Sequence, residues 1–387
     1  MAPRSDRHER IPLSLTGPQS HVLQREAGVG SLSLGPADGP RVDLVVDPDA
    51  AIDWTCFDPL TVPSGTPWPR WLSYRGNDVG VFEWMRSRES ERLSFAPMGD
   101  LDLDASDARL ADLTLRPGAH RIALTLPRAL CRLRVEGAHP SLAVRRPAGS
   151  FPLDLTLAAD AKASIPSLPP APWVTAASAL AIEHDVMGEP FDCRSLAALS
   201  HLRHLRVHGP VGHLDALAEV PLESLELRFV PDLAGLPAFE VWPHLTRFIA
   251  WNVDERAGKA LRSRARARAK VLAAEGVDEP FFSVSKLRSP RWFREEHGLP
   301  FAAWPAKSAK TATRAYREAS RALDAATDSA DARAAVTHFV DRLNALPDVM
   351  TSEREDAARA IVFLAETHPT HLDVDVALAW FDAVRDF

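Results

Sequence analysis

The densest set of side chains able to bind or transfer something is a run of histidines, His201, His204, His208 and His213. On a helix, His201, His204 and His208 would share a face and could chelate a zinc-like ion. The surrounding LSHLRHLRVHG alternates as a strand instead, which sets His204 and His208 about 13 Å apart, too far for one ion. No metal site is expected. Asp100, Asp102, Asp104, Asp107 and Asp112 alternate with leucines as on a solvated strand face, without the Gly-rich nonapeptide of calcium-binding repeats. His184-Asp185 could supply half of a catalytic triad, but no G-x-S-x-G elbow, H-E-x-x-H or GxxxxGK[ST] accompanies it. The expectation is a non-enzymatic protein with no catalytic residue and no cofactor.

Positioning falls to the apolar pattern. Short L-x-L pairs recur at Leu101/Leu103, Leu113/Leu115, Ile122/Leu124, Leu133/Val135, Leu142/Val144 and Leu153/Leu155. Each pair puts two apolar side chains on one strand face. Neighbouring pairs are too close in sequence for a parallel crossover, whereas alternate pairs lie 20 to 21 residues apart. One reading is therefore a 20-residue repeat with a strand on each of two faces; an antiparallel meander is the other. Farther on, Leu199, Leu202, Leu205 and Val207 follow an L-x-x-L-x-x-L-x-L spacing. Leu222, Leu225 and Leu227 continue it, then Leu245, Phe248 and Ala250. Of the 32 prolines, Pro127, Pro210, Pro221, Pro231 and Pro237 fall between these strands, where a preset φ helps and a missing N–H does no harm.

These repeats, with SVSKLRSPRWF (283–293), LPFAAW (299–304) and the closing WFDAVRDF, resemble leucine-rich-repeat proteins of high-GC bacteria. Some members of that uncharacterised family carry a gliding-motility label. The resemblance implies a cytoplasmic repeat protein and brings no catalytic residue with it. The expected class is α+β: a leucine-rich-repeat-like, β-rich solenoid with a Trp-rich N-terminal cap and a C-terminal helical domain. Its expected divisions are a disordered or extended tail at 1–40, the cap at 41–99, the solenoid at 100–287, a linker at 288–306 and four helices at 307–387. The helical stripes are Ala312/Tyr316/Ala319/Leu323, Val336/Phe339/Val340/Leu343, Ala357/Ile361/Leu364 and Val376/Trp380/Val384.

If the strands of 202–251 stack in parallel, alternation exposes His204, Arg206 and His208, then Glu226 and Arg228, then Arg247, Ile249 and Trp251. Arg and Trp are enriched at binding hot spots, so this face is the candidate partner site, and the expected partner is another protein. A second expectation is an enzyme or enzyme subunit with its site at the junction of solenoid and helices. A third is a nucleic-acid contact through the basic helix at 256–270, where 254–275 carries seven Lys or Arg against three Asp or Glu. The whole chain, 387 residues with 45 basic and 52 acidic, has a net charge of −7, which argues against a dedicated nucleic-acid binder. Three dispersed cysteines fit a reducing cytoplasm, and no run of about 18 apolar residues exists to span a membrane.

Overall fold

The structure is a computed structural model describing residues 8–26, 28–137, 141–160, 163–295, 297–347 and 351–386. The chain divides into two units, 1–288 and 289–387.

The first unit opens with an antiparallel hairpin of β1 (His8–Leu13) and β2 (His21–Glu26). Then come β3 (Ser31–Gly35), β4 (Leu44–Val45), β5 (Trp71–Arg75), α1 (Gly80–Ser87) and β6 (Ser90–Ala96). Strands β7 (Leu101–Asp104), β8 (Leu110–Leu115), β9 (Ile122–Thr125), β10 (Arg132–Glu136), β11 (Leu142–Arg145) and β12 (Asp154–Ala158) follow. Beyond α2 (Pro172–Thr175) lie β13 (Ala179–Glu183), β14 (Phe191–Asp192), β15 (His204–His208), β16 (Val211–Gly212), β17 (Ser224–Arg228) and β18 (Arg247–Asp254). The unit closes with α3 (Glu255–Ala274) and β19 (Phe281–Arg288).

Twelve of these strands form one all-parallel sheet in the order β19-β18-β17-β15-β13-β12-β10-β8-β6-β5-β3-β4. The strands β7, β9 and β11 form a separate three-stranded parallel sheet. Period-2 alternation explains the register, because a one-residue slip would move every leucine to the other face. One buried column passes from Leu113 through Leu133, Leu155, Leu180, Leu205 and Leu225 to Phe248. A second passes from Leu115 through Val135, Leu157, Ile182 and Val207 to Leu227. Every member of both columns is at most 3% exposed. The crossovers from β13 to β18 contain short 3-10 turns at 193–198, 214–219 and 239–241, and Trp242 Nε1 ties neighbouring ones by donating to the Leu217 carbonyl at 3.0 Å.

The expected α+β, leucine-rich-repeat-like solenoid is corrected by this topology: the chain is α/β, with a 12-stranded all-parallel sheet and C-terminal helices. Local spacing locates strands but does not say how many join one sheet. The 41–99 segment is accordingly no separate cap. It supplies β4, β5 and β6 to the same sheet, while Trp54, Trp68 and Trp84 sit in the common core. Nor is 8–40 a tail, since β1, β2 and β3 lie there and bury Leu13, Leu23 and Leu34; residues 1–7 are outside the described residues. Its Gly, Ser and Arg content concealed short alternating runs.

The second unit contains α4 (Pro290–Glu295), α5 (Ala306–Asp324), α6 (Ser329–Asn344), α7 (Thr351–Thr367) and α8 (Val374–Val384) around its own core. Residues 288–306, expected as a linker, carry α4 and bury Phe301 and Trp304 in that core; Trp304 Nε1 donates to Asp356 Oδ2 at 3.0 Å. On α8 the buried face is Ala377 and Phe381, whereas Val376 is 42% exposed. Because that helix is apolar nearly all round, its sequence fits more than one stripe. Among the described residues no helix is long and apolar enough to cross a membrane.

Candidate functional site

Register places the face residues on three adjacent strands. His204 pairs with Ser224 and then Arg247; Arg206 pairs with Glu226 and then Ile249; His208 pairs with Arg228 and then Trp251. All eight residues expected at the site thus share one patch of sheet. Their environments differ. His204, Arg206 and Arg247 are exposed, and Ile249 and Trp251 are half-buried. Glu226, expected to be solvated, is 7% exposed. Arg206 Nε lies 3.1 Å from Glu226 Oε2, and Arg228 Nε holds Oε1 from the other side. A buried carboxylate is tolerable here because two guanidiniums replace its water.

One corner of the patch is aromatic. His208 stacks on Phe229 at 4.5 Å, Phe229 meets Trp251 edge-on at 5.0 Å, and the Arg228 guanidinium lies 5.7 Å from the Trp251 ring. Phe229, which alternation did not pick out, reaches this place from a left-handed backbone, φ 55°. Burial lowers the His208 pKa below its usual value, Glu183 opposes the shift and Arg228 adds to it, so the ring is a neutral stacking partner near neutral pH.

The same face continues across β13, β12, β10 and β8, which reading 202–251 alone had missed. Arg132 pairs with Asp112 and Asp154, and Arg134 with Thr114 and Thr156. The signal was present as charged residues between the apolar ones in Arg132-Leu133-Arg134-Val135-Glu136. Arg134 bridges Glu136 at 2.5 Å and Glu183 at 2.7 Å, reaching across Ala158. For Glu136, burial alone would raise the pKa, but Arg134 and Arg116 outweigh it and hold the carboxyl below the usual range. The face encloses a groove of about 950 Å³ between Arg92 on β6 and Arg247 on β18, and Thr156, Ala179 and Ala181 of β12 and β13 are the short side chains in its lining.

Other expected features lie elsewhere. His184 is 6% exposed and packs against Gly209, where a Cβ would come within 2.7 Å of its ring. Neither of its ring nitrogens makes a well-aligned hydrogen bond. On α3, Arg262 Nε donates to the Val284 carbonyl at 2.9 Å and Arg264 Nη2 to the Pro237 carbonyl at 3.3 Å, so part of the basic run holds the fold. Arg256, Lys259, Arg266 and Lys270 are exposed. Among the described residues no group of three or more His, Cys, Asp or Glu side chains is placed to hold a metal ion. Cys56 and Cys193 are thiols pushed up to about 12, chiefly by burial.

No family profile, no curated protein and no solved structure matches the chain.

Proposed function

We propose that this is a non-enzymatic scaffold or adaptor of the cytoplasm that binds another protein through the outward face of its parallel sheet. The observation that carries the reading is the clustering of Arg206, Glu226, Arg228 and Trp251 on consecutive strands, with each guanidinium already held in place. Pre-ordered Arg and aromatic side chains lose less entropy on association than free ones, which is why such residues dominate binding energies. The three free cysteines, with Cys193 buried, Cys56 half-buried and Cys131 exposed, fit a reducing compartment.

The test compares affinity capture by the parent with capture by Arg206→Gln, Glu226→Gln, Arg228→Gln and Trp251→Ala combined. Glu226 is included because removing only its arginines would leave a buried, unpaired carboxylate and confuse misfolding with lost binding. A partner captured from lysate of the source organism and then purified should bind the parent at least about tenfold tighter than the variant, equivalent to about 1.4 kcal/mol. Equal affinity would remove the face from the interaction.

A further inference from the structure

We infer that the partner presents carboxylate side chains, and that an acidic, extended peptide segment seats in the alanine-floored groove between Arg132 and Arg206. This deepens the preceding reading and rests on it.

Two clusters of the same charge composition stand on either side of the groove, the Glu226 one hydrogen-bonded and the Asp112 one held as ion pairs. On one side Asp112, its side chain 16% exposed, lies 2.9 Å from Arg132 Nε and 3.7 Å from Arg92 Nη2. On the other, Glu226, 9% exposed, is held by Arg206 and Arg228. Each cluster has two cations around one sheltered anion, hence one positive charge in excess. Arg206 donates from Nε to Glu226 Oε2 at 3.1 Å, whereas Arg132 Nε approaches Asp112 Oδ1 as an ion pair without hydrogen-bond alignment; both arginines remain more than half exposed. Among the described residues the Nη groups of neither arginine make a hydrogen bond. A guanidinium fixed along its Nε edge and open at its terminal fork is the geometry that takes a carboxylate with two parallel hydrogen bonds.

The space between suits an extended chain. Arg132 is on β10 and Arg206 on β15, with β12 and β13 between them. Three strand spacings of about 4.8 Å separate the two strand axes by roughly 14 Å, which is the reach of four residues of extended peptide. Thr156, Ala179 and Ala181 form the floor, so backbone can approach where long side chains would block it. Five arginines and four carboxylates line the groove, a surplus of one positive charge on a chain of −7. One group opposes the fit: Asp154, exposed on β12 beside Arg132, repels an anion at that corner.

The full-length protein is titrated, at low ionic strength, into fluorescein-labelled hexa-glutamate, hexa-glutamine and hexa-lysine, with fluorescence anisotropy as the readout. Hexa-glutamate should bind at least tenfold tighter than the other two. Arg132→Gln with Arg206→Gln should weaken it at least tenfold, and Ala179→Phe, which fills the floor, should do the same. Asp154→Asn should tighten it about threefold, a gain that misfolding cannot imitate. Equal binding of all three peptides, or no binding of hexa-glutamate, would overturn the inference. So would loss of binding in Arg256→Gln with Lys259→Gln while the groove variants keep it, because the site would then be α3. Displacement of the peptide by equimolar glutarate would likewise replace the peptide by a small dicarboxylate. If captured partner still depends on Arg206, Arg228 and Trp251 while hexa-glutamate fails, the sheet-face reading stands and the acidic-segment inference falls.

Discussion

At the scale of single residues, His184 is the buried group with the plainest thermodynamic consequence. Burial lowers its pKa below the usual 6.5, the Pro210 carbonyl and Asp185 oppose this, and the neighbouring His208 adds to it. His208 is lowered by its own burial as well. The unfolded chain therefore takes up protons at a higher pH than the folded one. Stability from the neutral rings is complete above about pH 6.5 and is lost as pH falls through the folded values. Urea midpoints should decline from pH 7.5 to 5.5, and His184→Leu should decline less steeply, because it no longer has a buried ring to charge. Parallel slopes for parent and variant would show that His184 does not set the acid limit. Gly209 belongs to the same locus: its φ of 120° and its closeness to the His184 ring both demand glycine.

At the scale of elements, the sheet's interior columns carry the stability. Leu225 is fully buried between Leu205 and Phe248, so Leu225→Ala loses transfer free energy and leaves a cavity that neighbouring strands cannot close. We expect a loss of about 2–5 kcal/mol by denaturant unfolding, against less than about 0.5 for the exposed Val241→Ala. A loss below about 1 kcal/mol at Leu225 would mean the column is loosely packed. These columns were legible in the sequence because alternation is a local property. So were the outward residues from His204 to Trp251, once strands were assumed to stack. What alternation could not give was membership: β3, β5 and β6 look like isolated short runs until their register with β8 is seen. For the same reason Arg92, Asp112 and Arg132 read as separate surface charges 20 residues apart, although register places them side by side. Glu226 was placed on the correct face but its burial was not legible, since the two arginines that shelter it come from different strands and positions.

At the scale of the whole molecule, the two units have separate apolar cores. The second closes on Tyr316, Phe339, Ile361 and Phe381 from four helices, with Phe301 and Trp304 from the preceding segment. A chain of about 100 residues with such a core is within the size range of autonomous domains. Residues 289–387 expressed alone should show a helical circular dichroism spectrum and a cooperative melt, whereas 307–387, which lacks Phe301 and Trp304, should melt at lower temperature or without cooperativity. Equal melts would show that the aromatic segment is dispensable. The first unit poses a different question, because an all-parallel sheet of twelve strands would ordinarily be a slow structure to assemble. Most of its neighbouring strands, however, are paired at sequence offsets of only 20 to 25 residues. Measured against the 288 residues of the unit, that is a relative separation of about 0.07–0.09, the range of fast-folding helical bundles rather than of sheets closed by distant ends. Each strand can settle on its predecessor as it emerges from the ribosome, so the longest β-sheet of the protein is assembled by a series of short loop closures.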